Sequence, residues 1–152
     1  ERRRGGRRVR LERGKMVRVN ERNRRIVEEF RAGGGVVGGH FEGASLLILH
    51  TTGRRTGREH VTPLVYLPDG DRYVVFGSKG GAPTHPEWYL NLKADPDATV
   101  EVGTRTIRVR ATEITGPERD ELYARQVERW EPFRDYPTKT SRVIPAIALE
   151  AV

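Results

Sequence analysis

Two short runs carry most of the side chains able to do chemistry. Thr51-Thr52-Gly53-Arg54-Arg55-Thr56-Gly57 crowds hydroxyls, two guanidiniums and two glycines together, and Phe76-Gly77-Ser78-Lys79-Gly80-Gly81 sets a hydroxyl and an ammonium among glycines. Arginine forks suit phosphate or carboxylate, lysine adds a compact cation, and glycine lets backbone amides approach a ligand closely. The chemistry on offer is anion capture, with each charged hydrogen bond contributing ~1.5–3 kcal/mol. A charged hairpin tip facing water has the same composition, and the residues by themselves leave both readings open.

Other chemistries are poorly served. There is no cysteine, so disulfides, thiolate metal sites and a thiol nucleophile drop out together. His40, His50, His60 and His85 are the only histidines, no pair has helical ligand spacing, and no metal site is expected. Neither Ser78 nor Thr52 has a histidine and a carboxylate at a hydrolase spacing. Glu87 beside Trp88 reads as a helix cap rather than a general acid.

The elements that must position these runs follow from periodicity. A helix is expected from a cap at Asn20, with Ile26, Val27 and Phe30 as its apolar stripe, ending at Gly33-Gly34-Gly35. Leu46 to Thr51 reads as a strand buried on both faces, and Glu59 to Leu67 as its returning partner, with Pro63 marking an edge or a bulge. Pro68-Asp69-Gly70-Asp71 is the expected turn into a strand over 72–77. Thr84 and Glu87 have capping-box spacing, which predicts a helix from about His85 to Ala94 with Trp88, Leu92 and Tyr89 turned inward. Strands are expected over 99–102 and 106–114, with Ile107, Val109 and Ala111 facing one way and Arg108 and Arg110 the other. A helix after Pro117 carrying Leu122, Tyr123, Val127 and Trp130, a loop over 131–142 and a strand from Val143 to Leu149 complete the chain. About six mostly antiparallel strands with appended helices imply a mainly β, α+β barrel.

A chain of 152 residues suits one core. Its net charge of +7 is uneven: residues 1–15 hold seven Arg and one Lys against two Glu, whereas the other 137 hold 20 basic and 19 acidic side chains. The domain reading is therefore a basic tail or upstream segment over 1–19, expected to be disordered, and a single domain over 20–152. No nucleic-acid motif accompanies the arginines, so no nucleic-acid partner is expected, and a weak membrane-surface contact is the tail's other expected role. No apolar run approaches the ~20 residues that span a bilayer, nor does a secretory signal appear; the expected location is cytoplasmic, with membrane association as the variant.

The motifs Leu49-His50-Thr51-Thr52-Gly53-Arg54-Arg55-Thr56-Gly57, Pro63-Leu64, Ser78-Lys79-Gly80-Gly81 and Trp88-Tyr89-Leu90-Asn91-Leu92-Lys93-Ala94 occur in one order, with Asp135-Tyr136 and Arg142 to Pro145 beyond. In this the chain resembles the actinobacterial deazaflavin-dependent nitroreductase family. The resemblance implies an FMN-binding-like split β-barrel using reduced coenzyme F420 as hydride donor, with FMN a second choice of cofactor. The acceptor it implies is a small quinone-like or nitroaromatic molecule. Carried over, Arg54, Arg55 and Thr56 would hold the coenzyme's phosphate and the start of its glutamate tail, assisted by Lys79. His60, Val61, Thr62, Pro63, Leu64 and Val65 would run along the flat ring, with Phe76, Gly77 and Ser78 on its other side. Glu87, Trp88, Tyr89, Leu90 and Asn91 would lie close by, Trp88 as a wall or as plain core. No essential catalytic residue is implied; Ser78, Val65, Phe133 and Tyr136 are the candidates for touching the acceptor. His60 replaces an arginine of the nitroimidazole-activating member, and Val65 and Phe133 replace tyrosines, which removes polar groups able to orient an acceptor oxygen. The alternative function is a non-catalytic split-barrel binding protein for a deazaflavin, flavin or tetrapyrrole. The oligomeric state is left open.

Overall fold

The computed structural model describes residues 2–3, 6–10, 16–19 and 21–152. Strands β1 (Arg2–Arg3), β2 (Gly6–Arg10) and β3 (Met16–Val19) precede helix α1 (Glu21–Ala32). Then come β4 (Leu46–Thr52), β5 (Glu59–Val65), β6 (Leu67–Asp69) and β7 (Arg72–Phe76). Helix α2 (Glu87–Ala94), β8 (Asp97–Val102), β9 (Arg105–Ile114), α3 (Gly116–Arg129) and β10 (Ala146–Ala151) complete the order. One sheet runs β1-β2-β3-β5-β4-β8-β9-β10-β7-β6. Within it β4 to β10 pair antiparallel throughout, and β3 meets β5 in parallel over Val17↔Glu59 and Arg18↔His60. The proposed cap at Asn20 lies outside the described residues, as do parts of the expected tail; the parts described there are extended.

Alternation in the strands decides which face meets which helix. Leu47 and Leu49 of β4, Val100 of β8, Val109 of β9, Ile147 and Leu149 of β10 and Val75 of β7 share one buried cluster with Trp88, Tyr89 and Leu92 of α2. Three strands separate β4 from β7 in the sheet. Side chains from both can meet only if the sheet curls, and the result is a split β-barrel with α2 packed into its interior. The alternate residues point outward: Leu46 and Ile48 pack under Val27 and Phe30 of α1, while Val74, Phe76, Ala146 and Ala148 pack under Leu122 and Tyr123 of α3. Burying each large apolar side chain is worth ~1.5–3 kcal/mol, so a one-residue slip in β4 would expose one cluster while overfilling another. In β9, Ile107, Val109 and Ala111 face inward and Arg108 and Arg110 outward, as the alternation predicts.

Three expectations need correction. The turn expected over Pro68-Asp69-Gly70-Asp71 is shorter: Leu67–Asp69 pairs with β7 and only Gly70 and Asp71 turn the hairpin, so the barrel of about six expected strands counts seven. The α2 helix begins at Glu87, not at His85, and has no side-chain cap. Pro86 disfavours helical backbone at His85 before it, and the Thr84 hydroxyl accepts a hydrogen bond from Lys79 Nζ (3.1 Å) instead of capping. Finally, β10 starts at Ala146 rather than Val143, which is 73% exposed; Pro145 immediately before it cannot donate to a ladder.

Candidate functional site: a cationic cleft under the β4–β5 turn

The turn from β4 to β5 closes on its own main chain. Gly53 N–H donates to Arg58 O (2.7 Å), Gly57 N–H to Gly53 O (2.8 Å) and Arg58 N–H to Thr56 Oγ1 (3.2 Å). A Cβ on Gly53 would stand 2.7 Å from His60 Nε2, so only glycine lets the imidazole lie against the turn. Gly57 takes a left-handed φ of 73°, which bends the chain back.

The turn is tied to α2 through a buried amide. Arg54 N–H donates to Asn91 Oδ1 (3.1 Å) and Asn91 Nδ2 donates to Thr51 Oγ1 (3.3 Å), with Asn91 only 1% exposed. Arg54 Nη1 reaches Glu87 Oε1 at 2.7 Å. Between turn and helix lies a cleft of about 170 Å³ whose walls include Arg54, Arg55, Thr56, Arg58, His60, Glu87 and Asn91. It is small for a whole drug-sized ligand and of a size for the anionic part of one. Three guanidiniums face a single carboxylate there. The hydrogen bond from Arg54, with the field of Arg55 and His60, holds Glu87 below the ordinary carboxylate range, so it stays ionised. Arg55 and Arg58 are exposed and form no ion pair with any described residue.

The second glycine-rich run follows β7. Gly77 and Ser78 are buried, and Lys79, exposed, has a φ of 48° ahead of Gly80 and Gly81 at 64° and 84°. A Cβ on Gly77 would stand 2.9 Å from Pro145 Cγ, so this loop packs closely on the segment leading into β10.

The cleft thus gathers six of the sequence-derived binding residues: Arg54, Arg55, Thr56, His60, Glu87 and Asn91. The rest are distributed. Val61 is buried beneath α1 with Val65 against it, Leu64 and Leu90 pack against the barrel interior, and Trp88 and Tyr89 lie inside it. Pro63 is buried and Thr62 half-buried on β5. Phe76 and Phe133 are core residues below α3, 5.9 Å apart, and the Tyr136 ring packs at a tilt against Phe133, 5.0 Å between centroids. Burial raises the Tyr136 hydroxyl, which keeps its proton and can donate. Gly53 and Arg58 also line the cleft; both sit inside the quoted motif or one residue past it, and spacing alone does not single them out. Among the described residues no three His, Asp or Glu side chains converge to hold a metal ion.

Residues 22–151 match the model of a family described as F420H(2)-dependent quinone reductase. An F420H(2)-dependent quinone reductase of Mycobacterium tuberculosis is 37% identical over 124 residues, covering 79% of this chain and 83% of that protein. Among solved structures, an F420-H2 dependent reductase superposes with a TM-score of 0.65 at 35% identity, over 74% of this chain and 100% of the other. A structure described as a domain-swapped dimer superposes with a TM-score of 0.66 at 34% identity, over 86% and 95% of the two chains.

Proposed function

The chain belongs to the F420H(2)-dependent quinone reductase family, and from that premise we propose how its residues hold the coenzyme and serve its reaction. The protein is an oxidoreductase whose cofactor is coenzyme F420 and whose acceptor is a small quinone-like molecule. Reduced F420 supplies the hydride when bound. Everything else is binding, orientation and exclusion of water, which fall to the protein.

Arg54, Arg55 and Thr56 hold the coenzyme's phosphate and the first part of its glutamate tail, with Lys79 assisting. The observation that carries this assignment is the excess of guanidinium over carboxylate in a cleft whose turn is already closed by main-chain bonds. That donor set fits an anionic ligand and needs no rearrangement of the turn to receive one. His60, Thr62, Pro63, Leu64 and Val65 border the ring along β5, and Gly77 and Ser78 border it opposite. Val61, Phe76, Trp88 and Phe133 act from behind as the packed walls that keep those surfaces in place. Hydride transfer rewards a dry contact of about 3–3.5 Å between reacting atoms. Ser78 and Tyr136 are the hydroxyls offered to an acceptor oxygen.

Residues 20–152 act as one coenzyme-binding domain, located in the cytoplasm. Among the described residues no helix is long and apolar enough to cross a membrane. A weak contact of the arginine-rich 1–19 segment with anionic lipid belongs to the same reading, and binding to anionic vesicles that falls with added salt would support it. Nitroaromatic acceptors stand second to quinones, because His60, Val65 and Phe133 leave fewer polar groups near an acceptor.

The test is anaerobic mixing of the protein with reduced F420 and menadione, followed by the return of the oxidised deazaflavin absorbance. Oxidation that requires both protein and menadione is expected. Tight binding of F420 with no acceptor-dependent oxidation would assign the chain to the non-catalytic binding proteins instead.

A further inference from the structure

The loop between β7 and α2 is held by a residue about sixty positions away. Arg142 donates from Nε to Ala82 O (2.9 Å), from Nη1 to Gly77 O (2.9 Å) and from Nη2 to Ser78 O (2.8 Å). Three carbonyls from both sides of Lys79 thus converge on one planar guanidinium. Arg142 Nη1 also lies 3.1 Å from His85 Nδ1. Arginine offers only donors, so this contact needs an unprotonated Nδ1 and fixes His85 as the neutral tautomer with its proton on Nε2.

What the guanidinium holds is backbone that would not keep its shape unaided. Lys79 is the one non-glycine residue at positive φ among the described residues, and the next two positions are also left-handed. Such conformations persist where the surroundings over-determine them. Gly81 adds a steric lock, since a Cβ there would stand 2.8 Å from Lys139 Cβ and 3.0 Å from Tyr136 O. The loop is therefore fastened to the 136–145 segment from both ends.

We infer that Arg142 is a positioning residue for the coenzyme: it touches no ligand, and by binding Gly77, Ser78 and Ala82 it holds Ser78 and Lys79 in the arrangement F420 meets. The inference rests on the reading that this loop borders the coenzyme. It also makes the loop sensitive to acid through His85. The groups facing that ring are Arg142, Glu113 of β9, and Tyr89 of α2 at 4.8 Å, with Lys93 paired to Glu113. Burial and Arg142 outweigh Glu113 and lower the proton affinity of His85. A proton gained at Nδ1 would set two cations against each other and free one side of the loop.

The test reads the loop without any ligand. Arg142→Lys keeps the charge but cannot reach three carbonyls in one plane. In this variant a lysine-specific protease is expected to cut after Lys79 at least about tenfold faster than in wild type, and the dissociation constant for F420 to rise at least about tenfold. Methylguanidinium added to Arg142→Ala is expected to slow that cleavage again, a rescue that general loss of stability would not show. Unchanged cleavage and unchanged affinity in a folded Arg142→Lys protein would overturn the inference. If the arginine variants do not fold, His85→Gln keeps an acceptor opposite Arg142 without titrating. It is expected to lose the fall in F420 affinity expected of wild type as the pH drops below 6.5; identical pH profiles would overturn the inference too. Wild type failing to bind F420 while the cleavage results hold would count against the coenzyme reading alone.

Discussion

Strands β4 and β5 carry two charged clusters a few residues apart, and the two are built on opposite accounts of charge. In the first, the side chain of His50 lies between Glu59 (Nδ1 to Oε2, 2.7 Å) and Glu101 (Nε2 to Oε2, 2.6 Å), and Arg31 of α1 binds Glu101 through Nε (2.9 Å) and Nη2 (2.6 Å). Two cations meet two carboxylates, and α1, β4, β5 and β8 are joined. In the second, the cleft at the end of the same strands, Arg54, Arg55 and Arg58 meet only Glu87. The closed balance ties scaffold elements together, and on the proposed reading the open one is left to attract an anionic ligand. The cation count is similar in both; what separates scaffold from site is whether the protein supplies the matching anions.

Breaking the closed cluster should have the largest effect, and on stability alone. Glu101→Ala leaves His50 and Arg31 with one carboxylate between them and is expected to cost about 3 kcal/mol in urea denaturation. Its F420 affinity should match wild type once the protein is folded. A loss of affinity comparable to the loss of stability would erase the distinction between the clusters.

The converse change is Arg55→Ala in the cleft. Its expected loss is about 1.5–3 kcal/mol of F420 binding, roughly ten- to a hundredfold in dissociation constant, with the urea midpoint unmoved. Because the side chain is exposed and forms no ion pair with a described residue, any fall in stability would mean the cleft also serves as scaffold.

Titration sharpens the contrast further. Burial disfavours the His50 cation, but its hydrogen bonds to Glu101 and Glu59 prevail and raise its pKa above the ordinary 6.5. A raised folded pKa stabilises fully below the unfolded value, and that contribution is lost as pH rises through the folded one. Unfolding free energy should therefore fall above pH 6.5, by at most about 1.4 kcal/mol per pH unit, and His50→Gln should remove the slope. Burial likewise works against the Glu101 anion, yet His50 and Arg31 hold it at about 2, so its contribution is present above 4.5 and lost as pH falls toward 2.

The smallest expected effect comes from Gly53→Ala. The new Cβ would stand 2.7 Å from His60 Nε2, so the imidazole must move away, and 3.1 Å from the Arg58 carbonyl, which must give slightly. We expect a loss of about 1 kcal/mol in F420 affinity, measured by fluorescence titration, with little change in melting temperature.

These contrasts also separate what the sequence makes legible from what it does not. Continuous apolar runs in β4 and β7, the alternation of β9 and the helical stripes of α1 and α3 mark the barrel, because strands buried on both faces, strands buried on one and helices each impose their own pattern on the chain. The β4–β5 turn is legible because its glycines, arginines and hydroxyls are contiguous. Pairings across long separations leave no local trace: Arg142 lies 65 residues from Gly77, and Glu101 lies 51 from His50 and 70 from Arg31. Hence His50 reads in sequence as an ordinary polar residue and Arg142 as part of a motif without a task. The α2 start was hidden for a different reason. Capping-box spacing at Thr84 and Glu87 is genuine, but Pro86 changes the backbone before it, and both side chains find partners elsewhere in the fold.

The most direct measurement compares F420 with its deazaflavin fragment lacking the phosphate and glutamate tail, each titrated into wild type and Arg55→Ala at one salt concentration. If the cleft holds the anionic end, wild type binds F420 at least about tenfold more tightly than the fragment, and most of that advantage disappears in Arg55→Ala. Equal affinities for the two ligands in wild type, or an advantage that survives the substitution intact, would contradict the assignment of the cleft.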